Sequence, residues 1–245
     1  MPVRIIAFLA VMTWAESSRG TTISWNNVGT DFATGTNWTG GIAPANSIST
    51  DVASFGTASP TNQPKLNGAR SVKGLVFASG AGAFTFSGTN TAILTLGVSG
   101  IVNSDNTGQT LDSTLSLKLG AAAPFTVGST GGLTINSAVN NNAFLLTLNG
   151  TGTGTGTISG AISGTAGLTK SGSGTWALSG TNSYSGVNTI TGGILSVSNL
   201  ENGSTNSGLG ASSNAAGNLI INGGTLQYTG AAQSTNRLSP DRSNH

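Results

Sequence analysis

Hydrolysis, metal binding and covalent catalysis need groups that ionise, coordinate or attack, and this chain has few of them. Its one histidine, His245, is the last of 245 residues, and it has no cysteine. A Ser-His-Asp site needs an imidazole base beside its nucleophile, so a terminal histidine gives no expectation of one. The only acidic pair close in sequence is Asp105 and Asp112, in the text NSDNTG and TLDST. Paired carboxylates can hydrolyse glycosides, their separation setting the stereochemical outcome. In text this turn-rich, solvated corner residues are the expectation. Asp31 and Asp51, on either side of GTNWTGG, read as turn or capping groups.

Residues 103–108 echo the opening of a calcium loop, but the twelfth position is Thr114 where a bidentate glutamate is needed. The calcium-binding nonapeptide G-G-x-G-x-D is absent. NGTGTGTGTISG (149–160) has neither the register nor the lysine of a phosphate cradle. A period of two would put Thr151, Thr153, Thr155 and Thr157 on one side, a ladder able to organise water or a polysaccharide. A low-complexity corner is the expected alternative. Trp25 and Trp38, together with Trp176 and Tyr184, could stack on sugars or could fill the core and cover an open end. Trp25 and Trp38 are the candidate glycan contacts; no catalytic, cofactor-binding or metal-ligating residue is assigned, and no cofactor is expected.

What would position such residues follows from composition. Charged residues make up 7% of the chain and glycines number 38, a balance that disfavours helices because glycine costs about 1 kcal/mol in a helix interior. Between residues 20 and 230, Lys65, Arg70, Lys73, Lys118 and Lys170 are matched by Asp31, Asp51, Asp105, Asp112 and Glu201. A neutral body offers no electrostatic footprint for nucleic acid, and no small-molecule substrate is expected. Arg4, the apolar run 5–14 and Thr13-Trp14-Ala15 make residues 1–19 read as a secretory signal, leaving no transmembrane segment in the mature chain. Without disulfides, the stability of an exported protein must come from a continuous core or from repetition.

Short alternating segments recur: GLVFAS (74–79), AFTFSG (83–88), AILTLG (92–97), TLSLKL (114–119), LLTLNG (145–150), WALSG (176–180), ILSVS (194–198), NLIING (218–223) and TLQY (225–228). Each is bounded by turn residues and reads as a strand of four to six residues. GGLTI (131), GGILSV (192) and GGTLQY (223) begin 61 and then 31 residues apart, the second spacing half the first. Such periods point to stacked coils that bury a shared apolar row. The predicted fold is all-β, a parallel β-helix of short strands with Gly/Asn corners; a β-sandwich is the alternative.

One stretch carries a resemblance. GLTKSGSGTWALSGTNSYSGVNTITGGILSV (167–197) resembles the autotransporter-associated β-strand repeat, or passenger-associated transport repeat. Gly167, Leu168, Thr169, Lys170, Gly172, Gly174, Thr175, Leu178, Ser179, Gly180, Asn182, Tyr184, Gly186, Thr189, Ile190, Gly193, Leu195 and Val197 meet the pattern, and Asn188 departs from its usual Gly or Thr. Residues 217–237 resemble a weaker following coil, and residues 24–56 the tryptophan-containing start of such passengers. The resemblance implies a right-handed β-helix over residues 20–238, secreted or held at a bacterial cell surface. It implies a non-catalytic stalk or adhesin-like scaffold whose partners are surface glycans or neighbouring surface proteins, with a polysaccharide-binding or polysaccharide-active module as the alternative. Such passengers commonly continue into an outer-membrane barrel or a sorting signal, so the chain reads as a truncated passenger with a tail at 239–245. Lys170, the one charge in residues 170–197, is expected to point to solvent, stay charged and guard its strand against edge pairing.

Overall fold

A period of two puts alternate side chains on opposite sides of a strand, and a chain of three- to five-residue strands joined by glycine corners can bury one side only by winding on itself. The computed structural model describes residues 20–89 and 91–237, and shows that winding. The signal-like residues 1–19 and the tail at 239–245 lie outside the described residues. The strands form a 12-stranded and an 8-stranded sheet, and neighbours within each pair in parallel. A sandwich of antiparallel hairpins is therefore not the fold; the chain is a β-solenoid, and the helical content among the described residues is three short 3₁₀ turns.

The coils share two faces throughout and a third in the middle of the stack. Through the body of the solenoid, the long face stacks Ala123–Val127, Leu146–Gly150, Leu168–Lys170, Asn188–Ile190 and Leu219–Ile221. The second face stacks Gln109–Leu111, Leu133–Ile135, Gly156–Ile158, Thr175–Leu178, Ile194–Val197 and Thr225–Tyr228. A shorter third face carries Ser116–Leu119, Ala138–Asn140 and Ile162–Ser163. Nearer the N terminus, Ala69–Phe77 and Ile93–Asn103 bend to serve two faces each.

Register fixes the coil length. Leu133 pairs with Gly156, Gly156 with Trp176 and Trp176 with Leu195, steps of 23, 20 and 19 residues, and Leu195 then pairs with Leu226 after 31. The 61-residue spacing between GG motifs thus holds three coils rather than two. The 31-residue spacing is one coil enlarged by an excursion at residues 198–218.

Inward rows run through the stack in register. On the second face Leu111, Ile135, Ile158, Leu178 and Val197 are all buried in one column, each such side chain contributing about 1.5–3 kcal/mol on burial. In the adjacent column Trp176 lies over Gly156, where an added Cβ would fall 2.3 Å from the indole; a large ring fits because the position beneath is empty. At the N-terminal end the core becomes aromatic: Phe55 stacks on Phe77 at 5.4 Å on the long face, and Phe32 on Phe86 at 5.3 Å.

Candidate functional site

The outward positions of the same strands carry the first candidate surface. On the second face Thr85 pairs with Thr110, Thr110 with Thr134 and Thr134 with Thr157, so four threonines stand in line along the solenoid axis. Thr85 is exposed and the other three are half-buried. On the long face Thr147, Thr169 and Thr189 repeat the arrangement over three coils. Successive members sit at the inter-strand spacing of about 4.8 Å. Residues 151–155 form the corner expected of this segment and not a ladder through Thr151, Thr153, Thr155 and Thr157: only Gly156–Ile158 is strand, and the residues before it bend. Threonine rows run across coils instead of along one segment, because strand stacking, not sequence adjacency, sets the spacing.

Polar residues interrupt the inward rows at several places, Gln109 among them, and three of these residues tie down neighbouring coils and the excursion at 198–218. Asn103, fully buried, donates from Nδ2 to the carbonyls of Gly131 and Gly132 at 3.1 and 3.0 Å and accepts from the Asp105 amide. Lys170 stands in register between Leu148 and Ile190. It is completely buried, and its ammonium donates to the carbonyls of Ser171, Gly172 and Gly192 at 2.8, 3.0 and 3.0 Å. Gly172 and Gly193 turn the corner above and below it with φ of 68° and 60°, the left-handed region that favours glycine. The solvent-pointing, edge-guarding lysine expected from sequence is thus a core residue that clips two coils together. Burial pushes its pKa down to about 8, so the amine does not stay charged throughout the alkaline range.

Asn188, in register between Leu168 and Leu219, is the third. Its Oδ1 accepts from the buried Tyr184 hydroxyl at 2.5 Å, and its Nδ2 donates to the Leu209 carbonyl at 2.9 Å. Asn182 does the same work one strand earlier, accepting from Ile162 N and donating to the Gly208 carbonyl at 3.0 Å. Both hold the excursion 198–218, whose Ser207, Leu209 and Ser212 are buried. Arg237 closes it from the other side, donating to the Glu201, Ser212, Thr205 and Gly210 carbonyls, the last at 2.7 Å. The departure of Asn188 from the repeat pattern marks where the chain secures its own excursion; Arg237 carries no sequence signal of this role.

The carboxylates serve turns. Asp105 is buried, not solvated as expected, and accepts from the amides of Gly80 and Thr107 at 2.7 and 2.8 Å and from the Thr107 hydroxyl. Burial alone would raise its pKa, but these hydrogen bonds prevail and hold it below the usual carboxylate value. Asp51 behaves alike, with Thr21 and Ala45 as donors. Asp112 accepts from the Thr114 amide and Asp31 from the Ala33 amide, the turn roles expected of them. Among the described residues no group of three or more His, Cys, Asp or Glu comes together to hold a metal.

Trp25 and Trp38 face inward. Trp38 is fully buried and Trp25 is 3% exposed; they meet edge to face at 5.0 Å and each also contacts Phe55. Their indole N–H groups donate to the carbonyls of Asn62 and Phe32. Neither offers a free ring face for a sugar to stack on, so as placed they close the N-terminal end of the core.

A stack of short parallel coils with in-register inward rows defines a β-solenoid repeat protein. Its repeat has a family: residues 168–197 match the passenger-associated-transport-repeat, and the chain carries one such repeat, as the resemblance of 167–197 implied. The matched segment is not a single coil, since Leu168–Lys170 pairs with Asn188–Ile190 and Thr175–Leu178 with Ile194–Val197; the repeat is two stacked levels. The chain is also similar to the adhesin BmaC autotransporter of Brucella suis biovar 1 (strain 1330), 42% identical over 108 residues. Those residues are 44% of this chain and 3% of that protein, so the chain spans a small fraction of the relative it matches. No solved structure matches it. Among the described residues no helix is long and apolar enough to cross a membrane.

Proposed function

We propose that this chain is an exported, adhesin-type passenger module acting without catalysis, a stiff solenoid that presents hydroxyl-lined faces to surface polysaccharides. The likeness to an autotransporter adhesin and the passenger repeat support export and adhesion. The observation that carries the contact chemistry is the row Thr85, Thr110, Thr134 and Thr157. Threonine offers a hydroxyl that both donates and accepts, beside a methyl group. A row of them suits a polymer that is itself hydroxyls over an apolar ring face. A neutral face with no preference for charge fits a neutral glycan better than an acidic one.

The test is a glycan array probed with the full chain and with a Thr110→Val/Thr134→Val double variant, which keeps shape and removes two hydroxyls. Binding weakened at least tenfold, with an unchanged melting temperature, is the expected result. Binding equal to that of the unaltered chain would remove the threonine row from the contact surface and leave a stalk role alone.

A further inference from the structure

Strand alternation sets Gly108, Thr110 and Asp112 on the outward side of one level, because Gln109 and Leu111 between them are buried. One level on, Leu133 and Ile135 are buried and the outward residues are Gly132, Thr134 and Asn136. Thr157 and Ser159 follow on the next level, flanking the buried Ile158. The threonine row therefore runs between a shelf and a rim. The shelf is Gly108 and Gly132, and a Cβ added at Gly108 would meet nothing within 4 Å. The rim is Asp112, Asn136 and Ser159. Asp112 Oδ1 accepts from the Thr114 amide at 2.8 Å, and Asn136 Oδ1 from the Ser159 hydroxyl at 2.6 Å. Asp112 Oδ2 and Asn136 Nδ2 are unengaged among the described residues. The row also has ends. Before Thr85 the Gln63 side chain is folded onto the Thr85 amide and the Ala83 carbonyl, and beyond Thr157 the next residue in register is Ala177.

We propose, on the polysaccharide reading above, that this trough binds an extended, neutral chain of β-1,4-linked pyranoses along the solenoid axis, one sugar to each of the four levels of the row. Consecutive threonines stand one inter-strand spacing apart, about 4.8 Å. A chain of equatorially β-1,4-linked sugars in its ribbon form advances by nearly that much per sugar, so each ring meets the same contact one level on. An α-1,4-linked chain coils away from a straight row. Neighbouring sugars in the ribbon are turned over, so successive levels meet donors and acceptors in alternation. Threonine hydroxyls serve both, as does the Asn136 amide. The glycine shelf lets a ring lie close to the backbone while its hydroxyls reach the rim. There the Asp112 carboxylate accepts a charge-assisted hydrogen bond from a sugar hydroxyl and repels acidic polymers.

Titration calorimetry of the full chain tests this with β-1,4-linked oligomers of glucose, mannose and N-acetylglucosamine, from disaccharide to hexasaccharide, against α-1,4-linked glucose oligomers of equal length. Affinity for at least one β-1,4 series is expected to rise with each sugar up to the tetrasaccharide and then level off. The α-1,4 series should bind about tenfold more weakly or worse. Asp112→Asn keeps the oxygen that holds the Thr114 amide and should weaken binding about tenfold, the loss of one hydrogen bond to a charged group. Gly108→Val fills open space and should abolish binding, with the melting temperature unchanged in both variants. Equal affinity for the two linkages, a plateau at the disaccharide, or unaltered binding by either variant overturns the proposal. Glycan-array binding that depends on Thr110 and Thr134 but includes none of the β-1,4 series overturns it while leaving the row as a contact surface; no glycan binding at all removes both.

Discussion

At the scale of single residues, Lys170 is the position where function of the fold and chemistry of a side chain meet. An ammonium with three carbonyl acceptors from two successive turns satisfies all three of its N–H donors, yet it sits in a core column without a counter-ion beside it. Its pKa falls to about 8 in the folded chain because burial disfavours the charge, against about 10.4 in an unfolded one. Between those values the unfolded chain binds more protons, so stability rises with pH across this window and is flat below it. The urea midpoint of the unaltered chain is expected to climb from pH 7.5 to 10.5, by an amount equivalent to roughly 1–3 kcal/mol. Lys170→Met should lose that slope; a Met variant with the same slope would assign it to another group. The sequence could not show this burial. A lone lysine among Ser and Gly has the composition of a surface turn, and only the register with Leu148 and Ile190 reveals that its position faces inward.

At the scale of elements, the strands that alternate cleanly were legible and the short polar ones were not. WALSG and ILSVS lie on Thr175–Leu178 and Ile194–Val197 as expected, because their inward residues are Trp176, Leu178, Leu195 and Val197. Leu168–Lys170, Asn188–Ile190 and Gln109–Leu111 escaped, since each has three residues and a buried Lys, Asn or Gln at one of its two inward places. For the same reason the repeat was read as one coil: without those strands the two levels inside 168–197 cannot be separated. Pairing across levels also makes a testable demand on Gly156. An added methyl would press on the Trp176 indole and the backbone cannot yield without moving the stack. Gly156→Ala is expected to lower stability by about 1–3 kcal/mol, the usual cost of overpacking, although alanine favours strand over glycine on propensity alone. Combined with Trp176→Leu, which vacates the space, the penalty should shrink well below the sum of the two single changes; additive losses in thermal unfolding would mean that the two positions do not share a space.

At the scale of the whole molecule, a solenoid is nearly one-dimensional, with each level contacting only its neighbours, so the ends decide solubility. At the N-terminal plug, aromatic side chains outside the regular strand columns close the core. Trp38 touches Trp25, Phe32 and Phe55 at centroid distances of 5.0, 4.9 and 5.8 Å and is fully buried. Trp38→Ala should cost about 3–5 kcal/mol locally. The loss stays near its site because nearest-neighbour coupling confines it: amides of the first levels, such as Val52–Phe55, exchange faster, while those of Ile194–Val197 keep their protection. A variant that loses protection evenly along the chain would show one cooperative unit rather than coupled levels.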